Sequence, residues 1–197
     1  MSASNDNVVS DKRNRFLTKL TEFDITIRGA YLATIIPIED LVKDIISHHF
    51  CSTTDNHGIN EDKRRQFISL ILSGRNDYSF SFGIIDIFEK IMTFNYPDLI
   101  EQYPKLINDI RELIKFRNWL THSILDKSDE FMVNNFVGNR IRLISYDDAG
   151  KIHYKDISRS EIDERLVDYM NVHFALEDIL GEVKDRVFTS RYDGYKS

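Results

Sequence analysis

The chain has 197 residues, 42% of them hydrophobic and 12% aromatic, which is ample for a packed core of one domain or one domain with a modest extension. Its formal net charge of -6 disfavours whole-surface binding to DNA or RNA, because phosphates are held by a basic excess, but it leaves room for a small local site. A single cysteine, Cys51, excludes an intrachain disulfide and predicts a reducing compartment. The N-terminal MSASNDNVVSDKRNR has no apolar signal segment, and the run from Ala30 to Ile38 is far shorter than the ~20 residues of a membrane span, so a cytoplasmic protein without membrane partners is expected.

Residues 1–10 are small and polar and read as a disordered tail, leaving a domain over 11–188 and a polar tail over 189–197. Phe16, Leu20 and Phe23 open a helical spacing that Leu32, Ile35, Ile36, Leu41, Ile45 and Ile46 continue. Pro37 predicts a kink or a new helix start, since proline lacks an N–H and crowds the preceding turn. Asp55-Asn56-His57-Gly58 reads as a loop, and a further helix is expected from Glu61 to Leu72, closed by Ser73-Gly74. Phe80, Ile84, Ile85, Phe88, Ile91 and Met92 mark the next helix, ending at Asn95-Tyr96-Pro97. A long helix is predicted from about Asp98 to Leu125, with Leu99, Tyr103, Leu106, Ile110, Leu113, Leu120 and Ile124 as its apolar face.

The period then changes. Residues 140–145 and 151–155 alternate around Asp147-Asp148-Ala149-Gly150, which predicts a β-hairpin over about 139–156. Ser158-Arg159-Ser160-Glu161 has capping-box spacing, so the last long helix should start there, with Ile162, Leu166, Tyr169, His173, Leu176, Leu180, Val183 and Val187 as its seam. No repeat of 20–50 residues is visible. The expected fold is all-α: a single helical bundle with a small β-hairpin inserted before the last long helix.

Chemistry-bearing residues concentrate at the end of the long helix. Arg117 falls where the apolar seam calls for a hydrophobic residue, and an unpaired guanidinium is costly to bury. His122 follows five residues later, about 140° further round an ideal helix, so the two side chains do not stack on one face. Arginine offers a planar fork of donors to phosphate oxygens, and histidine, with an ordinary pKa of ~6.5, can take and give a proton near neutrality. The structural alternative is an Arg117 paired with an acidic neighbour and a His122 that merely ends the helix. Asp44, His48 and Cys51, with His57 beyond them, are metal-ligand types on one helical face. No CxxC or HExxH accompanies them, and a lone cysteine is usually core packing, so neither a metal nor a cofactor is expected. His173 on its apolar seam reads as a hydrogen-bonded core or interface residue. Lys12-Arg13-Arg15 and Lys63-Arg64-Arg65 read as solvated helix faces, and Asp147 and Asp148 as turn residues.

The segment Ile114-Lys115-Phe116-Arg117-Asn118-Trp119-Leu120-Thr121-His122-Ser123 resembles the signature of the HEPN superfamily (higher eukaryotes and prokaryotes nucleotide-binding): Arg, a polar residue, three variable residues and His, at the end of a long helix. Phe80 to Ile91 resembles the helix preceding that signature. Arg28-Gly29-Ala30-Tyr31-Leu32-Ala33-Thr34 is similar to the first helices of the mannitol-operon-repressor-like branch, and the similarity spans about Phe16 to Asp126. The resemblance implies a helical bundle that pairs as a homodimer, bringing two motifs to one cleft, and in active members a metal-independent endoribonuclease. On this chain His122 would transfer protons as a 2′-hydroxyl attacks phosphorus, Arg117 would stabilise the phosphate charge, and Asn118 would orient the pair. The product would be a 2′,3′-cyclic phosphate.

Such proteins serve as toxins, phage-defence effectors or stress RNases, so single-stranded RNA and a cognate antitoxin or regulatory protein are the partners implied. Members controlled by nucleotidyltransferases carry Tyr two residues after the His; Ile124 stands there, and that control is not implied. The alternative function is a non-catalytic interaction or regulatory protein resembling the mannitol-operon-repressor group, in which Arg117 and His122 hold the fold or dimer together.

Overall fold

The three- and four-residue apolar spacing that starts near Phe16 builds one helix, α1, spanning Ala3–Cys51. In this computed structural model the described residues are 3–51, 62, 82–128, 130–131, 140–147 and 149–193. Helix α1 begins inside the segment read from sequence as a tail, and it passes through Pro37 without a new start. Proline removes one backbone donor there, but Ile35, Ile38, Val42 and Ile45 on either side are buried, and packing of such a face outweighs the local defect. Apart from residue 62, the helix expected over 61–72 lies outside the described residues, as do His57, Lys63-Arg64-Arg65 and Asp148.

Helix α2 covers Phe82–Asn95 and α3 covers Pro97–Gln102. The long helix expected from Asp98 to Leu125 is therefore interrupted. Its break falls at Tyr103–Lys105, and Pro104 supplies the reason, since proline disfavours helical geometry in the residue before it. Tyr103 has φ -127° and ψ 63°, outside the helical region. Helix α4 then runs Leu106–His122 and stops three residues earlier than its apolar pattern suggests. Ile124–Leu125 form a short strand, β1, followed by β2 (Arg140–Tyr146) and β3 (Ile152–Ser158). The last helix, α5, spans Arg159–Asp193. The described residues are thus mostly helical with a small antiparallel sheet, and the two-stranded hairpin expected from sequence is in fact part of a three-stranded sheet of order β1-β2-β3.

The described residues divide into two compact units. One comprises residues 1–33 and 116–166, the other 34–115 and 167–197. In the second, the buried faces of Ile38, Val42 and Ile45, of Ile85, Phe88 and Met92, of Ile110 and Leu113, and of Leu176, Ile179 and Val183 form the core. Full burial of each such side chain is worth roughly 1.5–3 kcal/mol. On the surface of this unit Arg111 bridges Asp86 and Glu89, both at 2.8 Å, and Arg186 grips Asp98 through two bonds of 2.7 and 2.6 Å.

The sheet belongs to the first unit. Its strand register pairs Ile141 with Ile157, Leu143 with Lys155 and Leu125 with Leu143, and these positions share the inner face. Ile141, Leu143 and Ile157 on that face are fully buried. The other face carries Arg140, Arg142, Ile144 and Tyr146 on β2, opposite Ser158, Asp156, Tyr154 and Ile152. The hairpin closes through the Asp147 carboxylate, which accepts from the Ala149 and Lys151 amides at 3.0 and 2.8 Å, with Gly150 at φ 77° completing the turn. At the other end of β3 the Ser158 hydroxyl accepts the Glu161 amide at 3.2 Å, the N-cap that the capping-box spacing predicts.

Arg142 and Asp156 meet across β2 and β3 at 2.6 and 3.1 Å. The Asp156 carboxyl is held below its ordinary 3.8, first by that hydrogen bond and also by the charges of Arg142 and Arg140, against some desolvation. Because the folded value is the lower one, the pair stabilises at neutral pH and loses its contribution as pH falls through the folded value. Asp156→Asn should lower Tm by about 1–3 °C at pH 7, and the difference should vanish at a pH below the folded value. An equal difference at both pH values in thermal melts would contradict this.

Candidate functional site

The last two turns of α4 hold Arg117, Asn118 and His122, all in the first unit. A helix ends with carbonyls that have no intrahelical donor and a partial negative charge, so a cation placed there is favourable. Arg28 of α1 supplies it. One of its guanidinium nitrogens, Nη1, donates to the Leu120 carbonyl and, at 2.9 Å, to the Ser123 carbonyl. Its Nε donates to Asp24 Oδ1 at 2.7 Å, one turn earlier on α1, so the charge is paired while only 19% of the side chain is exposed. Ser123 adds a second closure, since its amide and hydroxyl both donate to the Trp119 carbonyl, at 3.1 and 2.5 Å. The chain is therefore turned out of the helix immediately after His122 and delivered to β1.

The rotation of α4 about its axis is set by Phe116, which is 4% exposed. Its ring meets Tyr31 edge-on at 4.8 Å and stacks beside Trp119 at 6.3 Å. Two cations cover this pair: the Arg165 guanidinium lies 4.1 Å from the Phe116 centroid, and Lys155 Nζ lies 5.0 Å from both ring centroids. Glu161 lies 3.5 Å from Lys155 and 4.0 Å from Arg165.

With Phe116 and Leu120 buried, Arg117 sits at the edge of the core and not in it. The expected apolar seam steps through Leu113, Phe116 and Leu120. A three-residue step from Leu113 puts Phe116 inside, whereas the four-residue step read from sequence put Arg117 there. Arg117 is half-buried, and its Nη1 donates to Asn118 Oδ1 at 2.7 Å. Among the described residues no carboxylate pairs with Arg117. His122 is exposed, and among the described residues it makes no hydrogen bond or ion pair. The structure thus joins Arg117 to Asn118 directly and leaves His122 separate at the helix end.

The remaining candidates fall elsewhere. His48 is buried, and among the described residues no group of three or more His, Cys, Asp or Glu side chains could hold a metal. His173 belongs to the second unit, where it lies 3.4 Å from Glu177 and stacks with Tyr169 at 5.7 Å. That unit also carries a groove of about 490 Å³ lined by Leu99, Tyr103, Glu177, Asp178, Glu182 and Asp185, a surroundings that repels anions. Arg13 and Arg15 are exposed on α1, as expected. Arg28, Lys155 and Arg165 were not read from sequence as parts of this site. Only the Asp24/Arg28 spacing of four on α1 signals an ion pair.

The chain was compared with family models, curated proteins and solved structures, and none of them matches. Among the described residues no helix is long and apolar enough to cross a membrane.

The two arginines should separate cleanly in stability. Arg28→Ala removes charge-assisted bonds and strands Asp24, and should cost about 2–4 kcal/mol in urea unfolding. Arg117→Ala should cost under about 1 kcal/mol. Equal losses for both would give Arg117 a structural role.

Proposed function

We propose that this is a HEPN-like protein acting as a metal-independent endoribonuclease on single-stranded RNA, with Arg117, Asn118 and His122 as its catalytic residues at a homodimer cleft. The observation that carries this reading is the Arg117 guanidinium: half-buried, oriented by a neutral amide, and without a carboxylate partner among the described residues. A guanidinium so placed can donate to a phosphate, and an exposed imidazole lies five residues further along the same helix. A neutralising carboxylate would have favoured the structural alternative.

In this proposal the substrate 2′-oxygen bonds to phosphorus as its proton passes to an imidazole, and the P–O5′ bond breaks as the leaving oxygen gains a proton. Two copies of His122 in one cleft divide the two transfers. Arg117 donates to the non-bridging oxygens, where charge accumulates, and Asn118 holds its guanidinium in place. The products are a 2′,3′-cyclic phosphate and a 5′-hydroxyl, and no redox partner or metal enters the balance. A protein of this kind operates in toxin, defence or stress pathways, with a cognate antitoxin or regulator as its further partner.

Purified protein should cleave single-stranded RNA in EDTA and leave cyclic phosphate ends. His122→Ala should lower the rate by about 10²–10⁴-fold and Arg117→Ala by about 10²–10³-fold, with both proteins folded. Wild type inert on varied RNAs, or variants that cut equally well, would return the chain to the non-catalytic, regulatory reading.

A further inference from the structure

In the second unit, helix α5 turns an apolar strip outward. Val167, Met170 and Phe174 follow one another at steps of three and four, so they share one face, and they are 57%, 50% and 54% exposed. Single exposed apolar residues are ordinary, but large ones in an unbroken strip mark a contact surface. Beyond Phe174 the same face continues, at steps of four, three and four, as Asp178, Gly181 and Asp185. A side chain at Gly181 would meet nothing within 4 Å, so the backbone is open to close approach there. Asp178, Gly181 and Asp185, with Leu99 and Tyr103, line the groove of about 490 Å³. Strip and groove thus form one surface that runs roughly 27 Å along the helix.

The charge of this surface is one-sided. From Val167 to Arg186 the helix carries Asp168, Glu177, Asp178, Glu182 and Asp185 against Lys184 and Arg186. Arg186 is taken up by Asp98 and Glu182, and His173 lies 3.4 Å from Glu177. Asp178 accepts from the Tyr103 hydroxyl at 3.0 Å, and among the described residues neither Asp178 nor Asp185 is bonded to a cation. Asp168, beside Val167, adds to the excess. The Asp109 carboxyl on α4 is pushed up, first by desolvation and then by the Asp168 charge, with Lys105 acting against it. An apolar strip that leads into an acidic groove complements a helix with apolar anchors at one end and Lys or Arg at the other. Nucleic acid and anionic lipid would be repelled, and a second copy of this face would set carboxylates against carboxylates.

We propose that this face of α5 is a docking surface for a basic amphipathic helix of a partner protein, with Val167, Met170 and Phe174 receiving its apolar side chains and Asp178 and Asp185 its cations. The surface belongs to the second unit and stands independently of the nuclease reading. It gives the chain's acidity a use: the excess of carboxylates selects a basic protein partner.

The test uses full-length protein and two fluorescein-labelled amphipathic peptides of about 20 residues, long enough to span the surface as a helix. Both carry the same leucines on one face; one has Lys and Arg on the other face and one has Glu. Anisotropy should show saturable binding of the basic peptide alone. Phe174→Ala should weaken that binding by roughly tenfold. Asp178→Asn combined with Asp185→Asn, which keeps an acceptor for Tyr103, should weaken it several-fold at low salt and less at high salt. Thermal melts establish that each variant is folded. No saturable binding of the basic peptide, equal binding of both peptides, or unchanged affinity in folded Phe174→Ala protein overturns the proposal. So does a dimer in sedimentation that Phe174→Ala dissociates, since the strip would then belong to a second copy. The binding is read without RNA, so neither outcome depends on whether the protein cleaves it.

Discussion

A single guanidinium fixes the end of the motif helix. Arg28 bonds to carbonyls of Leu120 and Ser123 and is itself neutralised by Asp24. Without it the terminal carbonyls of α4 would face the neighbouring helix without a donor, and a buried carboxylate would be left alone. Each of these is a penalty of kcal/mol size. With it, the residue at which the helix stops is specified, and everything that follows is placed by that choice: His122 in the last turn, Ser123 in the turn out, and Ile124 in the sheet.

The aromatic and cationic layer around Phe116 complements this clamp. Arg28 fixes where α4 ends, while Phe116, held among Tyr31, Trp119, Lys155 and Arg165, fixes which way α4 faces. Arg117 is left at the margin of the core by that rotation and is free of carboxylates among the described residues, which is the state a phosphate-binding arginine needs. The two devices involve α1, α4, β3 and α5, so residues far apart in the chain converge on one short helical segment. The chain's acidity lies partly elsewhere, with Glu177, Asp178, Glu182 and Asp185 gathered around the groove of the second unit. Net charge therefore says little about the surroundings of Arg117.

Where one local interaction decides the outcome, the sequence was readable. The hairpin turn follows from Asp147 and Gly150, and the start of α5 from Ser158 and Glu161, because the side chains responsible are neighbours in the chain. Where competing local rules meet, it was not. Pro37 argued for a break that core packing of Ile35 and Ile38 overrides, whereas Pro104 does end a helix, with Tyr103 before it outside helical geometry. Ile124 continued the helical spacing of Leu113 and Leu120, yet Arg28 had already closed the helix, and the residue joins β2 instead. The candidate triad of Arg117, Asn118 and His122 was legible from residue types and spacing. That Phe116 and not Arg117 takes the buried position was not, since steps of three and four both fit a period of about 3.6.

The central claim is that Arg28 holds the motif helix and the sheet in register with one another. Amide hydrogen exchange on wild type and Arg28→Lys, read by mass spectrometry under native conditions, tests it most directly. Lysine keeps the charge beside Asp24 but loses the planar fork, so exchange should accelerate in the segment from Thr121 to Asp126 and its β2 partners while the α2 amides stay unchanged. Protection that is unaltered in that segment, or lost equally everywhere, would contradict the account.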